Sequence, residues 1–107
     1  MNKFESALKN NDFICSECPR CNKLVWPPSD FCNTCLNQVS WRSVSRFGTL
    51  IEFSKKDKTL FCIAEFENAI RIMGTLETRS KIPLIGQRVQ MVKCEFNGNA
   101  KFTFQLE

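Results

Sequence analysis

Cys18-Pro19-Arg20-Cys21 and Cys32-Asn33-Thr34-Cys35 are two C-x-x-C pairs separated by ten residues. Each pair sets two sulfurs on one side of a tight turn. Two such turns facing each other make the tetrahedral four-thiolate shell that structural zinc prefers, with Zn–S of about 2.3 Å. Pro19 stiffens the first turn by fixing φ. Asn22 follows Cys21 where a glycine is often found, and Asn tolerates the left-handed conformation almost as readily. The chain has no histidine, so metal ligands must be cysteines or carboxylates. Four protein thiolates fill the shell and leave no position for a catalytic water, so the expected Zn2+ is structural. Iron is the alternative occupant of the same four-sulfur geometry, as in rubredoxin-like sites.

Three cysteines lie outside this set, and seven in all is an odd number for a pure disulfide framework. Cys15 stands three residues before Cys18 and reads as a spare thiol near the site, or as a substitute ligand. Cys62 and Cys94 fall inside apolar runs, where free cysteine behaves as a small hydrophobe. A Ser/His/Asp constellation is excluded by the missing histidine. The four glycines are unclustered, so neither common phosphate loop is present. On this inventory the chain is expected not to be an enzyme.

The elements that must position the cysteines follow from length and pattern. A chain of 107 residues makes one ordinary domain or two very small ones. Its 43% hydrophobic content marks a folded protein, though a core of this size is marginal and gains from a metal. Met1–Asn11 carries charges and lacks an apolar h-region, so no signal peptide is expected. No apolar run approaches the roughly 20 residues of a bilayer span. The expectation is a soluble cytoplasmic protein, in a reducing compartment where cysteines bind metal.

Phe4, Ala7 and Leu8 have helical spacing among polar residues and predict a short helix over Asn2–Asn10. Asp12–Ser43 holds five of the seven cysteines, three of the four prolines and both tryptophans. It predicts loops and tight turns around a ligand, without regular elements. Strand-like runs then follow at Phe47–Phe53, Leu60–Phe66, Ala69–Leu76, Val89–Phe96 and Phe102–Leu106. Lys55-Lys56-Asp57-Lys58 and Glu67-Asn68 read as hairpin loops, and Asn97-Gly98 as a two-residue type I′ turn. Five short strands joined by hairpins avoid exposed edges by closing into a Greek-key barrel, the OB-fold. The fold class is therefore mainly β: a short N-terminal helix (1–11), a rubredoxin-like zinc ribbon (12–44) and a five-stranded OB-fold barrel (45–107), with the seam at Ser43–Arg46.

An OB-fold raises the alternative of single-stranded nucleic acid. The formal charge is +4 with neutral thiols and falls to about +2 once a divalent ion sits among four thiolates. That is a weak field for a polyanion. The aromatics Phe61, Phe66, Phe96, Phe102 and Phe104 fall in runs expected to supply the core, whereas stacking platforms must be exposed.

The order of motifs is more specific than the cysteines alone. A short helix, Cys-Pro-x-Cys, Trp26-Pro27-Pro28, Cys-x-x-Cys, Trp41 and Phe47-Gly48-Thr49-Leu50 follow one another. Ala64-Glu65-Phe66 then leads to Arg71-Ile72-Met73-Gly74, to Pro83-Leu84-Ile85-Gly86-Gln87-Arg88-Val89 and to Phe102-Thr103-Phe104. This order resembles the acyl-CoA-associated zinc-ribbon/OB-fold family, long catalogued as a domain of unknown function. Ser29 departs from the pattern, standing where arginine often follows Pro-Pro. The resemblance implies a scaffold partner of acetoacetyl-CoA thiolase, hydroxymethylglutaryl-CoA synthase, or both. Within it Trp26, beside Pro27 and Pro28, is a partner-binding anchor or a lid over the metal, and Trp41 belongs in the seam. Lys55, Lys56 and Lys58 are candidate contacts for CoA phosphates, against the plainer reading of a solvated hairpin tip.

Overall fold

The computed structural model describes residues 2–107. Its single helix among these, α1 (Lys3–Lys9), begins with a capping box: Asn2 and Glu5 each accept the other's backbone N–H. Seven residues are too few to hold a helix in isolation. Docking supplies the rest, with Leu8 fully buried and the Phe4 ring set edge-on to Trp26 at 5.7 Å.

β1 (Ile14–Cys18), β2 (Lys23–Val25) and β3 (Ser40–Ser43) form an antiparallel sheet in the order β2-β1-β3. The sequence predicts only loops here. These strands are too short to display a period of two, yet buried Cys15, Ser16 and Cys18 leave backbone groups that must be paired. The flanking strands pair them.

β4 (Phe47–Lys56), β5 (Thr59–Phe66), β6 (Ile70–Glu77), β7 (Arg88–Phe96) and β8 (Ala100–Leu106) close into a barrel of order β4-β5-β6-β8-β7. The chain is thus mainly β, with the five-stranded OB arrangement. β6 and β8 run parallel, and β7 returns to β4. Register shifts between Leu50 and Glu52 and between Met91 and Lys93 supply the extra bend that closure needs. Gly74 lets β8 cross: a Cβ there would meet the Phe102 carbonyl and lie 2.5 Å from the Phe104 ring.

The turns differ from expectation in one respect. Asn97-Gly98 does not form a two-residue turn; Phe96 pairs with Ala100 across a three-residue connection in which Gly98 (φ 77°) takes the positive φ. Two turns do take a pair of positive φ angles: Glu67-Asn68 (52° and 53°), closed by the Ala69 N–H on the Phe66 carbonyl at 3.0 Å, and Arg79-Ser80 (51° and 69°), closed by the Lys81 N–H on the Thr78 carbonyl at 3.0 Å. The strand register, set by inward-facing apolar residues on β7 and β8, outweighs the local preference of Asn-Gly.

Leu50, Cys62, Ala64, Phe66, Ile72, Val89, Met91, Phe102, Phe104 and Leu106 fill the barrel. Phe61 does not. It is 36% exposed, because alternation along β5 turns Cys62, Ala64 and Phe66 inward and sets Phe61, paired with Thr75 of β6, on the outer face. Leu8, Phe13, Cys15 and Val44 belong to the same buried cluster, with the Phe13 ring 5.5 Å from Phe66 and 6.4 Å from Phe102. Asn11 (φ 58°) accepts the Cys94 N–H at 2.9 Å, and its carbonyl accepts from Arg46. Trp41 lies on the ribbon sheet, with the Lys3 amine 5.9 Å from its ring, rather than in the apolar seam.

Candidate metal centre

The sulfurs of Cys18, Cys21, Cys32 and Cys35 all lie within 4.8 Å of one another, and those of Cys18 and Cys35 within 3.4 Å. A tetrahedral ion with Zn–S of about 2.3 Å requires sulfurs about 3.8 Å apart, so the cluster has the right size. Two like turns build it. The Asn22 N–H bonds the Cys18 carbonyl at 2.8 Å, and the Leu36 N–H bonds the Cys32 carbonyl at 3.0 Å. Both closing residues are left-handed, with φ of 57° and 62°. Asn22 takes that conformation as expected; Leu36 takes it without an amide to help.

Backbone and side-chain donors point at the sulfurs. Cys18 accepts from the Cys21 N–H at 3.3 Å, Cys32 from the Thr34 N–H at 3.4 Å, and Cys35 from the Asn37 amide at 3.4 Å. The Cys35 and Thr34 N–H groups lower the Cys32 thiol to about 6, and the Asn37 N–H lowers Cys35. Cys21 goes the other way, pushed up to about 12 by the Cys35 and Cys18 sulfurs beside it. Four sulfurs this close cannot all become anionic without a cation among them. An all-sulfur donor set around one point fits a soft divalent ion with a closed shell.

The remaining cysteines are separate. Cys15 donates to the Val25 carbonyl at 3.3 Å, outside the cluster. Burial pushes Cys15 and Cys62 up to about 11 and raises Cys94. Among the other sequence candidates, Trp26 is half-buried against Phe4 and the core. Pro27 is exposed and Pro28 half-buried. Their loop is pinned by the Ser29 N–H on buried Ser16 Oγ at 3.2 Å. Lys55, Lys56 and Lys58 are all exposed at the β4–β5 hairpin, whose turn is Asp57-Lys58.

No family model matches the sequence. No curated protein matches it either. Solved structures do. The Ltp2-ChsH2(DUF35) aldolase superimposes with a TM-score of 0.75 at 15% identity, over 99% of this chain and 96% of that one. A DUF35-family protein of unknown function from Sulfolobus solfataricus gives 0.71 at 14% identity, over 98% and 83%. The fold is that of DUF35 proteins.

This likeness corrects the expectation that the chain is not an enzyme. A structure named an aldolase contains the DUF35 fold, so the missing histidine and phosphate loop do not set such a chain apart from catalysis. The physical reason is that a reaction centre in an assembly draws groups from several chains, and the inventory of one chain does not describe it. No helix among the described residues is long and apolar enough to cross a membrane.

Proposed function

We propose that this chain is a zinc-holding subunit of a cytoplasmic enzyme assembly acting on acyl-CoA thioesters, with acetoacetyl-CoA thiolase, hydroxymethylglutaryl-CoA synthase or both as partners. The observation that carries this reading is the end-to-end likeness to the DUF35 aldolase structure. The motif order, which resembles an acyl-CoA-associated family, supports the same substrate class. Cys18, Cys21, Cys32 and Cys35 hold one structural Zn2+, which fixes the two turns of the ribbon (12–44) beside the barrel (45–107). Pro27 and Pro28 face a partner, while Trp26 supports them from behind by packing on the helix. Lys55, Lys56 and Lys58 stand free to meet the phosphates of CoA.

Affinity purification of the tagged chain from its own cells, with mass spectrometry of the co-eluting proteins, tests this. A stoichiometric thiolase or synthase is expected. Recovery of nucleic-acid proteins alone, or of no partner at depth, would overturn it.

Single-stranded nucleic acid is the second reading, favoured by one observation: Phe61 and Met73 are exposed on neighbouring strands at the face that OB-folds use for oligonucleotides. Phe53, also exposed, lines the same cleft, but two aromatics are a short platform for a strand that stacks base after base.

A further inference from the structure

The connection from β6 to β7, residues 78–87, carries three large aliphatics in four positions, and all three face water: Ile82 is 81% exposed, Leu84 65% and Ile85 62%. Elsewhere Leu36 and Met73 are exposed singly, while Leu8, Leu50 and Val89 are at 0%. The loop is also fixed in shape. The Lys81 N–H bonds the Thr78 carbonyl at 3.0 Å and the Gln87 N–H the Leu84 carbonyl at 3.1 Å. The Gln87 side chain accepts the Leu84 N–H at 3.2 Å and donates to the Glu107 carbonyl at 2.9 Å. The Gly86 N–H ties the far end to the Leu50 carbonyl of β4 at 2.8 Å. An apolar loop held in one conformation loses little freedom when it is covered.

Its charge is one-sided. Residues 78–88 include Arg79, Lys81 and Arg88 and no carboxylate. Glu107 approaches Arg88 at 3.9 Å, and the Arg88 guanidinium lies 4.3 Å from the Phe47 ring, which is itself partly exposed. Aliphatics rimmed by cations call for an apolar recess rimmed by anions. A lipid surface would satisfy the same signs, but three aliphatics on one tight loop give a membrane only marginal hold. A rigid loop is suited to a rigid groove.

We propose that this loop is the surface by which the chain docks onto its enzyme partner, and that the partner presents an apolar groove bordered by aspartate and glutamate carboxylates. The inference rests on the subunit reading above and names the surface that reading requires.

The test is binding of the full zinc-loaded chain to the thiolase and to the synthase of its own cells. Phosphatidylcholine vesicles containing phosphatidylserine are assayed in parallel. Leu84→Ser with Ile85→Ser should weaken enzyme binding about a hundred-fold, from the burial lost by two aliphatics. The melting temperature should hold, since both side chains are exposed. Arg79→Glu with Lys81→Glu should slow association, most visibly at low salt. Wild-type binding to an enzyme with both double variants unchanged would overturn the loop and leave the subunit reading standing. Binding to vesicles alone, lost in the serine variant, would replace the protein partner by a membrane. Binding to neither enzyme nor vesicle would overturn the inference together with the reading beneath it.

Discussion

The Arg42 guanidinium takes both oxygens of Glu67 side by side, Nη2 to Oε1 at 2.8 Å and Nη1 to Oε2 at 3.0 Å. Arg42 sits on β3 of the ribbon and Glu67 on the β5–β6 turn of the barrel, so this fork joins the two sheets. Glu67 also accepts the Ser45 N–H at 3.2 Å, and Arg42 Nε reaches Glu17 at 3.2 Å. The pairing explains a costly turn residue: glutamate is an unusual choice at a φ of 52°, and the fork holds it there.

The hydrogen bonds from Arg42 hold the Glu67 carboxyl below its ordinary value of 4.5. A depressed acid stabilises the fold at pH above that ordinary value, and the contribution disappears as pH falls through the lowered one. Glu67→Gln keeps the turn strain and removes the charge. It should cost about 1 kcal/mol at pH 7, because both side chains remain partly exposed and screened. Thermal melts should give a gap between wild type and variant at pH 7 that shrinks as the pH falls below 4.5; a gap independent of pH would refute the assignment.

Leu36 closes the second metal turn at a φ of 62° and is 76% exposed, so it bears the left-handed penalty without packing to offset it. Leu36→Asn should raise stability by about 1 kcal/mol. Chemical denaturation of the metal-loaded protein measures this, and a loss of stability would show that Leu36 has a role beyond the turn.

Gly74→Ala should cost about 3 kcal/mol, at the upper end for overpacking, because the new methyl meets backbone as well as the Phe104 ring. Gly98→Ala meets open space at a φ of 77° and should cost only about 1 kcal/mol from the backbone. Urea midpoints for the two variants give the comparison. Equal midpoints would mean that β8 can move away from β6 freely.

Cys21→Ser and Cys32→Ser should each lose the metal and the ordered ribbon, since structural zinc binding is coupled to folding. Elemental analysis should find one equivalent of zinc in the wild type and none in either variant, and no visible colour. A red wild-type protein would identify iron, and one retained equivalent in both variants would mean that the ligands lie elsewhere.

The cysteine pairs were legible because tetrathiolate chemistry has a spacing, and the barrel strands because inward apolar residues recur at every second position. Observed strand ends lie within three residues of those expected at every barrel strand. The ribbon sheet was hidden because its pairing is imposed by the buried backbone around Cys15 and Ser16, not by a side-chain pattern. Phe61 lies in a continuous apolar run, Leu60–Phe66, that hides the alternation: Cys62, Ala64 and Phe66 face inward and Phe61 faces out. The Arg42–Glu67 fork had no signal in the sequence, since the two residues meet only once both sheets are in place.

Phe13 and Val44 lie in the same buried cluster as Phe66, Phe102 and Phe104. The ribbon and the barrel therefore share packed side chains, so loosening the one uncovers part of the other. A chelator that strips an ion from the cysteine turns should then also weaken strands it never touches.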